Sequence, residues 1–156
     1  MRHKVFMYAT MMTTLVLTAL VTSAYATRNF AGAECQLQDP QAVIDRPEYG
    51  FGTIENTSPN TLNVICPVVR DKTSNVNGTQ NFTVRVVSNG VANVICTSYS
   101  TDDNGVLINN AVGITNSNMP TTLNINLTAS AANGTYSMKC VLPSNSKIFS
   151  YRVNEY

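Results

Sequence analysis

The chain has 156 residues, of which 44% are hydrophobic and only 12% charged, with a formal net charge of +1. That is about one domain's worth of chain, with enough apolar content to bury a core. Its charge is too sparse to make the basic field that nucleic acid or a polybasic membrane patch requires.

The first residues combine a basic start (Arg2, His3, Lys4), an apolar run over 15–21 and a small-residue end at Ala24-Tyr25-Ala26. This pattern predicts a secretory signal peptide over 1–26. The apolar run is too short and too threonine-rich to span a membrane, which takes roughly 20 apolar residues. The expected mature product is a single domain over 27–156, secreted or periplasmic, with no transmembrane segment. Arg2 and Lys4 leave with the leader and take the formal charge from +1 to −1. His3, the sole histidine, leaves too. The mature chain is then without the usual general base, the Ser-His and Cys-His pairs and the commonest zinc ligand.

Cys35, Cys66, Cys96 and Cys140 all fall in the mature part. An even number of cysteines in an exported chain implies two disulfides, and no Cys-x-x-Cys pair points to metal. Three pairings are open. The preferred one joins Cys35 to Cys66, which pins the N-terminal arm to a strand, and Cys96 to Cys140, which joins two strand-borne cysteines; a Cys66–Cys96 bond is the rival.

In chain order, 27–39 reads as an extended arm tied down by Cys35. A polar link at 41–48 has room for one helical turn, and 49–56 alternates enough for a first strand, ended by turn residues at 56–60. The segments Asn63-Val64-Ile65-Cys66 and Asn93-Val94-Ile95-Cys96 repeat one tetrapeptide and read as core strands, each carrying a cysteine on its apolar face. Pro67 removes a ladder donor and predicts an edge or bulge there. The polar stretch 70–80 is a loop. Residues 81–87 form a strand with Phe82, Val84 and Val86 inward. Ser88-Asn89-Gly90 predicts a bulged three-residue hairpin loop that sets Val84 opposite Val94 and Phe82 opposite Cys96.

Beyond Tyr99, residues 100–105 form a turn. A short strand over 106–108 is expected to pair with 111–115 across Asn109-Asn110. Leu123, Ile125 and Leu127 make 121–128 the clearest amphipathic strand. Tyr136, Met138, Cys140 and Leu142 share a face over 135–142, and Phe149, Tyr151 and Val153 share one over 148–154. Seven to nine short strands without a convincing helix predict an all-β, mostly antiparallel β-sandwich, Ig-like or jelly-roll-like, with two disulfides.

No catalytic, cofactor-binding or metal-ligating set is expected. Asp102-Asp103-Asn104-Gly105 lacks the alternating acids and downstream glutamate of a calcium loop and reads as a solvated turn. Asp71 and Glu55 have no partner carboxylate set by spacing, as a glycosidase needs. Lys72, Lys139 and Lys147 have no Ser-x-x-Lys arrangement to activate a hydroxyl. Arg85 and Lys139 read as outward charges that keep strand faces soluble. Tyr49, Tyr99, Tyr136, Tyr151 and Tyr156 are candidates for a sugar-stacking platform, with Tyr136 and Tyr151 better placed as core residues whose hydroxyls reach a partner. Asn-x-Ser/Thr triplets start at Asn56, Asn77, Asn81, Asn126 and Asn133 and matter only in a eukaryotic secretory host.

Through Cys66-Pro67-Val68, Lys139-Cys140-Val141-Leu142-Pro143 and Ser150-Tyr151-Arg152-Val153, the chain resembles small exported, disulfide-containing bacterial β-proteins. The resemblance implies export and disulfides and assigns no activity. In its low charge, its Asn, Thr and Ala content and its tyrosine-bearing last strand, the chain also looks like chaperone-assembled pilus subunits, which typically carry one disulfide near the start. The expectation is a non-enzymatic structural or binding module with a protein or glycan ligand. The alternatives are a fimbrial-type assembly subunit and a carbohydrate-binding or carbohydrate-active protein.

Overall fold

The computed structural model describes residues 26–38, 48–50, 52–70 and 80–155, with the side chains of 28–38, 52–70 and 80–154. The expected leader up to residue 25, most of the link at 41–48 and the asparagine-rich loop at 71–79 lie outside the described residues.

Strands form where β-branched and polar residues alternate, because each alternation puts one set of side chains on a buried face. In chain order they are β1 (Ala26–Ala31), β2 (Gln36–Leu37), β3 (Glu48–Gly50), β4 (Thr53–Asn56), β5 (Leu62–Pro67), β6 (Gln80–Val87), β7 (Val94–Thr101), β8 (Leu107–Thr115), β9 (Thr121–Leu127), β10 (Thr135–Leu142) and β11 (Ser146–Glu155). One 3-10 turn, Gly32–Glu34, links β1 to β2. In β5 the alternation is complete: Leu62, Val64 and Cys66 are buried, and Asn63, Ile65 and Pro67 are exposed.

The strands make two antiparallel sheets. The larger has the order β3-β4-β11-β6-β9, with β1 alongside β11, and the smaller has the order β2-β5-β10-β7-β8. Numbering β4 to β11 as one to eight turns these orders into 1-8-3-6 and 2-7-4-5. That is a jelly roll, and β1, β2 and β3 are additions at its edges. Between the sheets lies one core, with Phe82, Ile54, Ile125, Leu127, Met138 and Tyr151 among its largest buried side chains. Each such residue contributes about 1.5–3 kcal/mol by leaving water.

Four local expectations are corrected. β6 and β7 are not a hairpin. They lie in different sheets, so 88–93 crosses between layers, Val84 opposes Tyr151 and Leu123, and Cys96 opposes Cys140 and Gly113. Gly90 takes the expected left-handed conformation (φ +81°), but Asn89 organises the crossing by accepting the amides of Val91 and Ala92. Val94 and Cys96 are buried all the same, because alternation fixes the face whatever the partner strand.

The segment 49–56 divides into β3 and β4, which pair with each other on either side of a left-handed Gly52 (φ +78°). The segments 106–108 and 111–115 do not pair with each other. Leu107–Thr115 is one strand laid along β7. Finally, Phe149 does not share the inward face of Tyr151 and Val153. A bulge between Ile148 and Ser150 turns Ile148 inward and sets Phe149 aside as the extra residue.

At Pro67 the edge expectation holds. Among the described residues β2 covers Val64 and Ile65 alone, so β5 has a single described neighbour, β10, at the proline. The N-terminal arm is tied down twice, by the β1–β11 ladder and at Cys35.

Candidate functional site

The structure joins Cys35 to Cys66 and Cys96 to Cys140. All four cysteines are fully buried in the core, so none is placed to act on a ligand. The first bridge anchors the arm to β5, and the second links directly opposed residues of β7 and β10.

The outer face of the larger sheet has a different character. Inward positions of β6, β9 and β11 are mostly apolar, so alternation turns the intervening positions to the outer face, where Thr83 is buried beneath its neighbours. One row across the sheet reads Asn29, Arg152, Thr83, Asn124, and the next reads Ala31, Ser150, Arg85, Thr122. Between these rows lies an open groove of about 200 Å³ bordered by Asn29, Thr83, Arg85, Thr122, Ser150 and Arg152.

Arg152 donates from Nε to the Thr83 hydroxyl at 3.2 Å. Arg85 sits over the ring of Phe149 at 5.8 Å, a contact that exists because the bulge turned Phe149 out of the core. Neither arginine has an ion pair among the described residues, and no carboxylate lines the groove there. Further along, Asn81 donates to Asn126, and Asn154 donates to Asn81 at 3.4 Å, extending an amide row along the sheet. Guanidinium, amide and hydroxyl groups on one open face can exchange many hydrogen bonds with a polyhydroxylated ligand.

Arg85 is outward, as the sequence predicts, and Lys139 is half-buried on the other sheet's outer face. Asp102 caps its own turn, its carboxylate accepting the amides of Asn104 and Val106. Glu55 pairs with Lys147. Tyr136 and Tyr151 are core residues, and the Tyr151 hydroxyl donates to Pro67 O at 2.7 Å. Tyr99 is half-buried on the outer face of the smaller sheet, away from the groove. Asp71, Lys72 and Tyr156 lie outside the described residues, as does the side chain of Tyr49. No aligned tyrosine platform exists among the described side chains. Asn56 is fully buried, with its amide donating to Leu142 O and Asn60 O.

Of the groove lining, sequence reasoning singled out Arg85 as an outward charge and Tyr151 as a core residue. The signal for Thr83, Thr122, Ser150 and Arg152 was the polar half of each alternating strand. Pairing β11 with β6 and β6 with β9, which no local pattern encodes, brings them together.

A second surface is formed by β8, the edge of the smaller sheet. Ile108, Val112 and Ile114 are exposed there, with Ile114 opposite Ile95. No charged residue lies between Asp103 and Lys139, a span that holds both β8 and β9, the edge of the larger sheet. On the opposite side the edges are β2 and β3, two and three residues long, and β1, six residues long.

No protein-family model matches the chain, and no curated protein matches it in sequence. Among solved structures it is similar to the C-terminal CBM6 of LamC, a marine laminarinase from Zobellia galactanivorans, with a TM-score of 0.54 and 12% identity over 83% of this chain and 99% of that one. It also matches an arabinose-bound α-L-arabinofuranosidase, MgGH51 (TM-score 0.44, 8% identity, 81% of this chain and 26% of that one). A third match is the family 11 carbohydrate-binding module of the cellulosomal cellulase Lic26A-Cel5E of Clostridium thermocellum (TM-score 0.36, 12% identity, 83% and 84%). At such identities the first likeness is one of fold: this chain and the LamC module are β-sandwiches of the same kind.

Proposed function

We propose that the chain is an exported, non-enzymatic binding module that holds a glycan against the outer face of its larger sheet. The observation that carries this reading is the groove between β1, β6, β9 and β11, where two arginines, an asparagine and three hydroxyl residues converge on an otherwise regular strand surface. The fold likeness to a CBM6 supports it, since that domain is a carbohydrate-binding module by name. Export is supported by the leader pattern at 1–26 and by two disulfides, which persist in oxidising compartments. Affinity electrophoresis of the mature protein through gels containing single polysaccharides tests the reading. Retardation by at least one polymer is expected, lost on Thr83→Ala with Arg152→Ala; migration unaffected by every neutral and charged polymer overturns it. The mass of the exported chain checks cleavage after Ala26.

A second reading, a surface-assembly subunit, is favoured by the β8 and β9 edges. Proteins usually blunt long edges with lysine or proline, and here the β8 and β9 edges are uncharged while β1, the six-residue edge on the far side of the larger sheet, carries Arg28. The closing strand β11 already sits inside its own sheet, so assembly would add strands at an edge rather than fill a gap. Sedimentation of the mature protein separates the readings: concentration-dependent association abolished by Val112→Lys favours assembly, and a monomer at all concentrations removes it.

A further inference from the structure

We infer, resting on the glycan-binding reading, that the groove selects an anionic sugar unit, one bearing a carboxylate or a sulfate ester, and that Arg85 and Arg152 are the residues that recognise it.

Register places the two guanidinium groups together. Arg152 pairs with Thr83, and Arg85 pairs with Ser150, so the arginines are diagonal neighbours on adjacent strands of one face. Such positions are about 7–8 Å apart at the backbone, within the reach of two long side chains to a single anionic group. Two like charges on diagonal positions repel each other through the groove, and a bound anion would relieve that repulsion. Among the described residues nothing does: neither arginine has an acidic partner, and the groove lining holds no carboxylate.

The placement also runs against the composition. Without its leader the chain has a formal charge of −1, obtained by removing Arg2 and Lys4 from a total of +1. A groove with two unneutralised cations on such a chain is a local reversal of sign. Lys147, the next cation on this face, is different, since Glu55 already pairs with it.

The surroundings orient the charges. Arg152 is held from Nε by the Thr83 hydroxyl, which leaves its terminal nitrogens for a ligand. Arg85 has its guanidinium carbon 5.8 Å from the centre of the Phe149 ring. A planar guanidinium meets carboxylate or sulfate oxygens in pairs, which a lysine ammonium cannot do. Asn29, Thr122 and Ser150 then border the same groove with amide and hydroxyl groups suited to the ring hydroxyls of the sugar.

The test measures retention of the mature protein by polygalacturonate, by a sulfated galactan and by a neutral galactan, at low and at 0.5 M salt. Binding to one of the anionic polymers at least tenfold tighter than to the neutral one is expected. The polygalacturonate and sulfated galactan arms tell carboxylate from sulfate. Arg85→Gln and Arg152→Gln should each weaken binding about tenfold or more, Arg152→Lys should restore only part of it, and Lys139→Gln, on the other sheet, should leave it unchanged. Urea midpoints equal to that of the parent show that each variant is folded. Equal retention by neutral and anionic galactans, indifferent to both arginine changes, overturns the inference and leaves the glycan reading standing. Loss on Lys139→Gln as large as on Arg152→Gln also overturns it, as general charge attraction. Retention by no polymer overturns both.

Discussion

Tyr151, in the middle of the larger sheet, donates its phenolic hydrogen to the carbonyl of Pro67 in the smaller one, 2.7 Å away. The bond ties the two layers at Pro67, where the β5 edge has no second neighbour among the described residues. Phe30 stacks on the same ring, with centroids 4.8 Å apart and planes 10° from parallel. Strand β1 is thereby fixed to the core as well as to the ladder.

Removing that hydroxyl in Tyr151→Phe keeps the packing and strands the carbonyl, for an expected loss of about 1 kcal/mol in urea unfolding. Burial, and then the nearby charge of Glu34, push the Tyr151 phenol above its ordinary value of 10.0. A raised folded value means that the stabilisation is fully present below pH 10 and is lost as pH rises through the folded value. Urea midpoints should therefore fall above pH 10 in the parent and fall less steeply in Tyr151→Phe. An absorbance titration in which every tyrosine ionises together near pH 10 counts against this.

The two disulfides close loops of 31 and 44 residues by sequence separation. In the chain-entropy model each then contributes about 4 kcal/mol, by restricting the unfolded chain. Replacing Cys35 and Cys66 by serine should leave the sandwich folded with the N-terminal arm loosened, since Cys35 sits between the 3-10 turn and the two-residue β2. Replacing Cys96 and Cys140 by alanine strikes two opposed core positions and should cost more. Hydrogen exchange separates the cases: faster exchange confined to 28–38 for the first pair, and spread over β7 and β10 for the second.

The faces of these strands were legible in the sequence, whereas their partners were not. Period-two alternation placed Phe82, Val84, Cys96, Leu123 and Met138 in the core, because burial of one face is a local property of a strand. The Ser88-Asn89-Gly90 turn carries the same residues whether the chain doubles back in one sheet or crosses to the other. Only the competition among the eleven described strands for neighbours decides that, and it sent β6 and β7 apart. Phe149 was misplaced for a related reason: the one-residue bulge that expels it is set by the register of β11 on β6. The groove inherits both facts, since its arginines meet only after β11 and β6 pair and its aromatic side chain appears only after the bulge.

Asn56 begins an Asn-Thr-Ser triplet, yet its side chain is spent inside the fold. It donates to Leu142 O at 2.8 Å and Asn60 O at 2.7 Å, and accepts the Ser58 amide at 3.0 Å. Asn56→Ala should cost about 2–3 kcal/mol, because it leaves buried carbonyl and amide groups without partners. Asn126, exposed on β9, should accept the same change within about 0.5 kcal/mol. Expressed in a eukaryotic secretory host, the folded product should carry no glycan on Asn56, as read by peptide mass.

Gly113 of β8 packs on Ile125 and Leu123 of β9, an edge strand of the opposite sheet. A Cβ built there would lie 2.9 Å from Cγ1 of Ile125 and 3.2 Å from Cβ of Leu123. Both carbon atoms belong to buried core side chains, so the added volume must be met by a shift at the β8–β9 contact. Gly113→Val should therefore lose about 1–3 kcal/mol, with Gly113→Ala losing less. Coupling identifies the cause. Because the conflict is with Cγ1 of Ile125, removing that carbon should recover part of the loss, and the double variant Gly113→Ala with Ile125→Ala should be more stable than the sum of the single effects by at least 0.5 kcal/mol in a double-mutant cycle. Strict additivity in urea unfolding would mean that the cost of the alanine arises elsewhere than at the β8–β9 contact.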